Sequence, residues 1–172
     1  MHTQSKAVAS DTNVVSAWVL EAHDELERAA RAGAGLDPRE LAALTLIASH
    51  QGCSVEWLRG RVGLTQSGTV RLVDRLESER LVSRTRAGRG VALAVTRAGA
   101  ARLASWNTAR ARVVDALVRE LGGDEGEALV ASLAAALERR RRERPQADIA
   151  CRTCDWPACG DRCPVDRSVA AG

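Results

Sequence analysis

Residues 63–99 read GLTQSGTVRLVDRLESERLVSRTRAGRGVALAVTRAG, and the fold is decided in this stretch. Thr65 is placed to cap a helix that continues to about Glu79, because its side-chain oxygen can accept hydrogen bonds from free amides of the first turn. Two short strand-like runs, at 81–86 and 91–96, follow this helix and flank an Ala-Gly-Arg-Gly turn. A helix that leads directly into a short hairpin predicts a winged helix-turn-helix, in a chain that is mainly α with a small β-wing.

Positive charge is concentrated in the same region. Residues 59–102 contain ten arginines and three acidic residues, a net charge of +7, whereas the whole chain of 172 residues carries +3. A basic surface of this kind is the electrostatic footprint expected of a protein that binds nucleic acid. We therefore expect double-stranded DNA as the partner of the helix and the hairpin.

Length and composition favour one helical domain with or without an appendage. Phe and Tyr are absent, so Leu, Val, Ala and four Trp must fill the core, and such a composition favours helices. No run of about 18 apolar residues is present, and the N-terminal segment MHTQSKAVASDTN lacks the apolar centre of a signal peptide. We expect a cytoplasmic protein with no membrane partner.

Helix signals cover most of the remaining chain. After a loose tail to about residue 11, apolar residues recur at helical spacing up to Ala29, and Ala-Gly-Ala-Gly at 32–35 ends that helix. Asp37 as N-cap, with Pro38 and Glu40 behind it, predicts a second helix, and Ser54 predicts a short third one.

Two long helices are predicted in the C-terminal half. One begins near residue 96 and is broken by the glycine pair at 122–123, and a capping box of Asp124 and Glu127 begins the other, which Pro145 closes. The apolar stripes at 97–121 and 124–138 are larger than one small winged domain needs. They favour a partner for this region.

The helix at 66–79 has two distinct sides at about 100° per residue. One side, with Thr69, Leu72, Val73 and Leu76, is suited to packing, and the other carries Ser67, Arg71, Asp74, Arg75 and Ser78. Arginine can contact guanine edges, and an arginine on a narrow loop can enter the minor groove. The candidate DNA-binding residues are Gln66, Ser67, Thr69, Arg71, Arg75, Arg84, Arg86 and Arg89. One alternative is that Arg71 and Arg75 are solvated, with Asp74 and Glu77 as neighbours on the helix surface. The other is an ordinary polar turn at Arg89.

The stretch LTQSGTVRLVDRLESERLVSR, followed by a short wing and VALAVTRAGAARL, resembles the DNA-binding core of the MarR family of bacterial transcriptional regulators. The resemblance covers about residues 12–141. In that family the recognition helix reads roughly S-x-x-[ST]-R-x-[VL]-D-x-L and ends in Gly-Leu-Val before the wing. This chain departs from the pattern in three places. Arg80 stands in place of the glycine, and Val95-Thr96 stands in place of Leu-Thr. The wing lacks the usual Asp-x-Arg and keeps only its arginine, as Arg89.

The resemblance implies a homodimeric repressor that reads a pseudo-palindromic operator with two recognition helices about one DNA turn apart. It also implies a small-molecule effector bound between the dimer region and the winged domain, for which Trp18, His50 and Trp57 are candidates, although packing or surface roles are the alternative. The expected organisation is an N-terminal tail and first dimerisation helix at 1–35, a DNA-binding domain at 36–96, dimerisation helices at 97–145 and a cysteine-rich tail at 146–172.

Cys151, Cys154, Cys159 and Cys163 have the spacing C-x2-C-x4-C-x3-C, in a segment without helical period that we interpret as a separate module. Four thiols this close in a reducing compartment indicate a metal rather than disulfides, either zinc or an iron–sulfur cluster, for which Cys163-Pro164 is suggestive. The arrangement is similar in plan to redox regulators that hold a cluster on four C-terminal cysteines. A metal-free thiol switch and an inert tail are the alternatives.

Three functions follow from these patterns. The first is a dimeric DNA-binding regulator with a metal or redox sensor, and the second is a metal-dependent protein-interaction module on a winged scaffold. The third, an enzyme or electron carrier, is not favoured, because no Ser-His-Asp set, phosphate-binding glycine loop or carboxylate pair stands out and the three histidines are scattered. Cys53 stands apart from the cysteine tail and is expected to be a small buried apolar residue.

Overall fold

The computed structural model of the chain describes residues 2–88 and 90–170. Its elements are α1 (His2–Ala29), α2 (Pro38–Ser49), α3 (Val55–Val62), α4 (Gln66–Ser78), β1 (Val82–Ala87), β2 (Gly90–Val95), α5 (Arg97–Glu120), α6 (Gly123–Arg139), α7 (Arg144–Ala150) and α8 (Trp156–Cys159). The predicted fold class, mainly α with a small β-wing, is confirmed. Within the described part of the chain, no helix has both the length and the apolar character needed to cross a membrane.

The predicted helix starts in the winged region are confirmed. The Asp37 carboxylate accepts from the Glu40 amide at 2.9 Å, and the Glu40 carboxylate accepts from the Asp37 amide at 3.0 Å, which completes a capping box for α2. Side chains of Ser54, Thr65 and Thr96 accept from amides in the first turns of α3, α4 and α5. These caps satisfy amides that lack partners within the helix.

The wing is a two-stranded antiparallel sheet whose register runs from Val82 opposite Val95 to Ala87 opposite Gly90. Its second strand also pairs with the segment before α3, because the Leu93 amide donates to the Cys53 carbonyl at 2.9 Å. Leu93 is fully buried and belongs to the main core. The largest fully buried side chains of this core include Leu36, Leu41, Leu44, Ile47, Leu58, Val73, Leu76 and Leu93. The wing is therefore joined to the helical domain at its inner face.

The first helix differs from the sequence-based expectation at both ends. It begins at His2, so residues before 11 are not the predicted loose tail. After Ala29 it continues as a π-helical turn, Ala30–Ala34, and ends at Gly35, whose φ is 65°. The close approach of α5 leaves little space at Gly33, where an added Cβ would lie 2.8 Å from Ala109 Cβ.

Two expected boundaries in the C-terminal half are wrong. Helix α6 begins at Gly123 after Gly122, which has a φ of 90° and no capping side chain, so Asp124 lies in the first turn rather than at an N-cap. Pro145 does not close a helix but sits in the first turn of α7, where the side chain of Glu143 and that of Gln146 form a capping box. The expected division between residues 145 and 146 therefore falls inside a helix.

Candidate nucleic-acid interface

One side of α4 is exposed and the other is packed on α2 and α3. Gln66, Ser67 and Arg71 lie on the exposed side, as predicted, together with Val70, which the sequence argument did not select. Thr69 is fully buried, and its hydroxyl donates to the Thr65 carbonyl at 3.0 Å. The prediction that Thr69 contacts DNA is therefore wrong, because its side chain packs inside the domain.

Arg71 is the arginine of α4 that has no carboxylate partner within the described residues. Its Nε lies 3.3 Å from the carbonyl oxygen of Ser67, and one terminal nitrogen lies 3.5 Å from the Ser67 hydroxyl. Both contacts run along the exposed surface of the helix. The guanidinium can therefore turn toward a base edge or a phosphate without breaking an ion pair.

Arg75 has a second role besides its exposure. Its Nε lies 2.7 Å from Glu40 Oε1 and 3.5 Å from Glu79 Oε1. The Glu40 side chain is only 3% exposed, whereas that of Arg75 is 62% exposed. Because a buried carboxylate needs a compensating partner, this ion pair fixes α4 against the first turn of α2. Contact of Arg75 with DNA stays a prediction.

The hairpin arginines are placed differently from one another. Arg84 does not face outward as expected, because one terminal nitrogen lies 2.7 Å from both Asp74 Oδ1 and Glu77 Oε2. It joins the wing to α4 instead of presenting a free positive charge. Arg86 is exposed on β1, as predicted, and Arg89 lies outside the described residues.

The exit of α4 explains the departure at Arg80. Arg80 has a φ of 60°, in the left-handed region that favours glycine. Its amide donates to the Glu77 carbonyl and the Leu81 amide donates to the Leu76 carbonyl, each at 2.8 Å, which is the hydrogen-bond pattern of a Schellman motif. Arg80 therefore adopts the left-handed backbone conformation that glycine usually adopts at a helix end, and its side chain is exposed directly after α4.

The cysteine segment is not the separate module that was expected. The Trp106 indole donates to the Thr153 carbonyl at 2.9 Å, and Arg110 donates to the same oxygen at 2.6 Å, so the segment is bound to α5. Asp148 of α7 pairs with Arg61 of α3. We call residues 151–163 the cysteine loop. The loop is attached to α5, and helix α7, which precedes it, is attached to α3 of the winged domain.

All four predicted cysteines line one cavity of about 230 Å³. Cys151 and Cys163 are buried, Cys154 is half-buried and Cys159 is exposed. The hydrogen bond with Cys154, followed by burial, raises the pKa of Cys151, whereas the hydrogen bond with Cys151 and the charges of Arg110 and Arg152 lower the pKa of Cys154 to about 7. Burial also raises the pKa of Cys159. Within the described residues no three side chains form a ready-made metal-ion site, and the metal stays a prediction.

The three residues predicted for an effector pocket do not come together. His50 packs on Trp57 at a ring-centroid distance of 4.5 Å and on Trp156 at 5.8 Å, while Trp18 lies on α1 and is absent from the cavity that His50 and Trp57 line. A larger cavity of about 560 Å³ lies between α2, α5 and the cysteine loop. It is lined by Thr45, whose buried hydroxyl has no hydrogen-bond partner among the described residues.

Comparison with known proteins supports the winged-helix architecture. The MarR family model matches residues 34–90. The structure of YusO from Bacillus subtilis is similar, with 20% identity, a TM-score of 0.64, and coverage of 77% of this chain and 95% of that chain. The multiple antibiotic-resistance repressor MarR from Listeria monocytogenes 4b F2365 has 21% identity and a TM-score of 0.62, with coverage of 79% and 95%. Residues 34–90 are therefore similar to the MarR family, and the chain shares the winged-helix fold of these structures.

Two structures of a third similar protein are known, each with a different ligand. The transcriptional repressor CouR bound to a 23-mer DNA duplex has 27% identity and a TM-score of 0.58, and the match covers 72% of this chain and 89% of that chain. CouR bound to p-coumaroyl-CoA has 26% identity and a TM-score of 0.56, with coverage of 73% and 90%. No curated protein sequence matches this chain.

Proposed function

We propose that this chain is a dimeric, sequence-specific DNA-binding transcriptional regulator that represses by occupying its operator. The observation that carries the proposal is the exposed side of α4, which presents Gln66, Ser67, Val70 and Arg71 beside the wing. Arginine and glutamine can pair with purine edges in the major groove, and valine can contact a thymine methyl group. The similarity to CouR, whose structure was solved with DNA, supports this use of the surface.

A second copy of the chain is the proposed partner for the apolar surface of the long helices. Large apolar side chains exposed on α1, on α5 and its C-cap residue, and on α6 are Val14, Val15, Val19, Leu20, Val114, Leu121, Val130, Leu133 and Leu137. Exposed apolar surface of this extent is typical of an interaction site rather than of a monomer's surface. Pairing of these helices would set the distance between two recognition helices.

The cavity between α2, α5 and the cysteine loop is the proposed effector site. Its volume of about 560 Å³ lies in the range of small-molecule pockets. The lining is mainly apolar, with Leu103 and Ala104 among its members, but it also contains Thr45, Ser49 and Asn107, and the Thr45 hydroxyl has no partner among the described residues. This combination suits a mainly apolar ligand that carries polar groups. A ligand that binds one dimer arrangement better would shift the population between DNA-competent and incompetent states.

We further propose that the cysteine loop is a sensor that holds an iron–sulfur cluster or zinc on Cys151, Cys154, Cys159 and Cys163. The donor chemistry fits both groups, because thiolates bind zinc and iron–sulfur clusters alike and all four residues line one cavity. Arg110 and Arg152 would offset the negative charge of the filled site. A visible absorption spectrum and metal analysis of protein purified without oxygen distinguish a cluster, zinc and a metal-free thiol switch.

The competing function is a metal-dependent protein-interaction module on a winged scaffold. Titration of promoter DNA at two salt concentrations separates the two functions, since DNA binding must weaken steeply with salt. We expect Arg71→Ala to weaken specific binding by about 1–3 kcal/mol, roughly 5- to 150-fold in Kd, because it removes the recognition-helix arginine that has no ion pair. Arg119→Ala, an exposed substitution in the last turn of α5, is the matched control and should leave the Kd unchanged when light scattering shows the variant to be as dimeric as wild type. Equal affinity of wild type and Arg71→Ala would place the reading surface elsewhere.

A further inference from the structure

A buried carboxylate connects the segment before the cysteine loop to the winged domain. Asp148 of α7 is 1% exposed. Its Oδ2 lies 2.7 Å from Arg61 Nε of α3, and its Oδ1 lies 3.1 Å from Arg144 Nε and 3.9 Å from His50 Nε2. We call these four residues the Asp148 network. A buried charge that loses its partners is strongly destabilising, so the network holds α7 and α3 in one relative position.

Arg61 is itself held tightly on α3. Its guanidinium carbon lies 3.7 Å from the centroid of the Trp57 ring, and a terminal nitrogen donates to the Trp57 carbonyl at 3.1 Å. The Arg61 side chain is only 11% exposed. A displacement of Asp148 therefore cannot be absorbed by a free, solvated arginine and must act on α3.

The other end of the connection is the cysteine site. Asp148 and Cys151 are separated by less than one helical turn, and the Cys151 amide donates to the Ala147 carbonyl at 3.0 Å. Ala147, Cys151 and Cys163 belong to one small hydrophobic core. Trp156, which lines the cysteine cavity, packs on His50 of the network. Rearrangement of the thiols consequently reaches Asp148 and His50 from two sides.

Helix α3 passes the change on to the recognition helix. Leu58 of α3 and Val73 of α4 are both fully buried in the main core. Close-packed interiors transmit displacement because they have few voids. The path from the thiols to the reading surface therefore consists of buried, contacting groups.

We propose that Asp148 is a positioning residue that couples the state of the cysteine site to the helix-turn-helix through Arg61. This inference rests on the proposed function as a regulator with a cysteine sensor, and it names the route of that regulation. The segment that follows the cysteine loop has its own attachment, the exposed ion pair between Arg167 and Glu138 of α6 at 2.8 Å, which does not involve the winged domain. That pair provides a matched control of the same chemistry.

The test is a double-mutant cycle read by amide hydrogen exchange in α3 and α4. The full chain is compared as wild type, as Cys151→Ser with Cys154→Ser, as Asp148→Asn, and with all three substitutions. We expect the cysteine substitutions to accelerate exchange at 55–62 by about 5-fold or more in the wild-type background, the lower end of typical coupling. In the Asp148→Asn background the same cysteine substitutions should change the exchange rate by less than about 2-fold, a difference no larger than that usually found between sites that are not coupled.

Two further variants keep the test decisive. Glu138→Gln should leave the effect of the cysteine substitutions at its wild-type size. Arg61→Gln breaks the network from the α3 side while Asp148 keeps Arg144, and it replaces Asp148→Asn if that protein does not fold. Additive effects in the Asp148→Asn background, or in the Arg61→Gln background where Asp148→Asn does not fold, overturn the proposal, as does a wild-type background in which the cysteine substitutions leave exchange at 55–62 unchanged. The DNA titration is separate, since failure of the wild type to bind DNA removes the proposed function while the exchange cycle still decides the coupling.

Discussion

Replacement of Arg80 by glycine tests whether the backbone is strained at the C-terminal end of α4. Arg80 adopts a φ of 60°. Its backbone is fixed by two hydrogen bonds: its amide donates to the Glu77 carbonyl, and its carbonyl accepts from the Thr96 hydroxyl at 2.6 Å. An L-residue pays roughly 1–2 kcal/mol in the left-handed region, and glycine loses about 0.5–1 kcal/mol more conformational entropy on folding. The difference predicts that Arg80→Gly stabilises the protein by about 0.5–1 kcal/mol.

The assay is thermal and urea unfolding of the purified chain. For a protein of this size a gain of 1 kcal/mol corresponds to about 2–4 °C in Tm. Arg80→Ala is the matched control, because it removes the same charge but keeps a Cβ and therefore the strain. DNA affinity measured for both variants separates loss of the positive charge from relief of the backbone. A Tm of Arg80→Gly equal to or below that of wild type would refute the assignment of strain at this position.

Two further predictions concern packing at Gly99 and the reactivity of the Cys53 thiol. Gly99→Ala should destabilise the fold by about 1–3 kcal/mol in urea unfolding, because the new Cβ would collide with the Leu81 carbonyl oxygen and lie 2.8 Å from Val95 Cγ1. Gly60→Ala, a helical position with nothing within 4 Å of the added Cβ, is its control and should be neutral or stabilising, and equal stability losses would contradict the argument. Burial raises the pKa of Cys53 to about 11, so its thiolate fraction near neutral pH is about 100-fold below that of an ordinary thiol. Cys53 is half-buried rather than fully buried as expected. Mass spectrometry should therefore find slow alkylation of Cys53 that accelerates as pH rises toward 11, and rapid labelling at pH 7 would contradict the raised pKa.

Local signals in the sequence were sufficient for the winged region. The capping residues Asp37, Ser54, Thr65 and Thr96 act within four residues of themselves, and the period of α4 separates its buried and exposed sides. The helical period places Thr69 on the packed side of α4, and the structure agrees with the period rather than with the prediction that Thr69 contacts DNA. The only sequence signal of the positive φ at Arg80 is that this residue stands where the MarR pattern has a glycine.

Long-range charge pairing could not be read from the chain. Arg84 carries the same charge as Arg86, but only the fold brings it against Asp74 and Glu77. Asp148 and Arg61 are 87 residues apart, and nothing local to either predicts that one neutralises the other. For this reason the cysteine segment was expected to be separate. Its composition differs from that of the helices, but its attachment depends on partners in α3 and α5.

The pairing of Arg84 with Asp74 and Glu77 has a consequence for how a duplex would be read. Because Arg84 of β1 pairs with two carboxylates of α4, the hairpin and the helix are linked and would contact a duplex together. A duplex must then match the fixed separation between them, which depends on groove width and on the bending of the base steps between the two contacts. Operators would accordingly be selected by their deformability as well as by their bases, and substitutions in base pairs that no side chain touches should alter affinity.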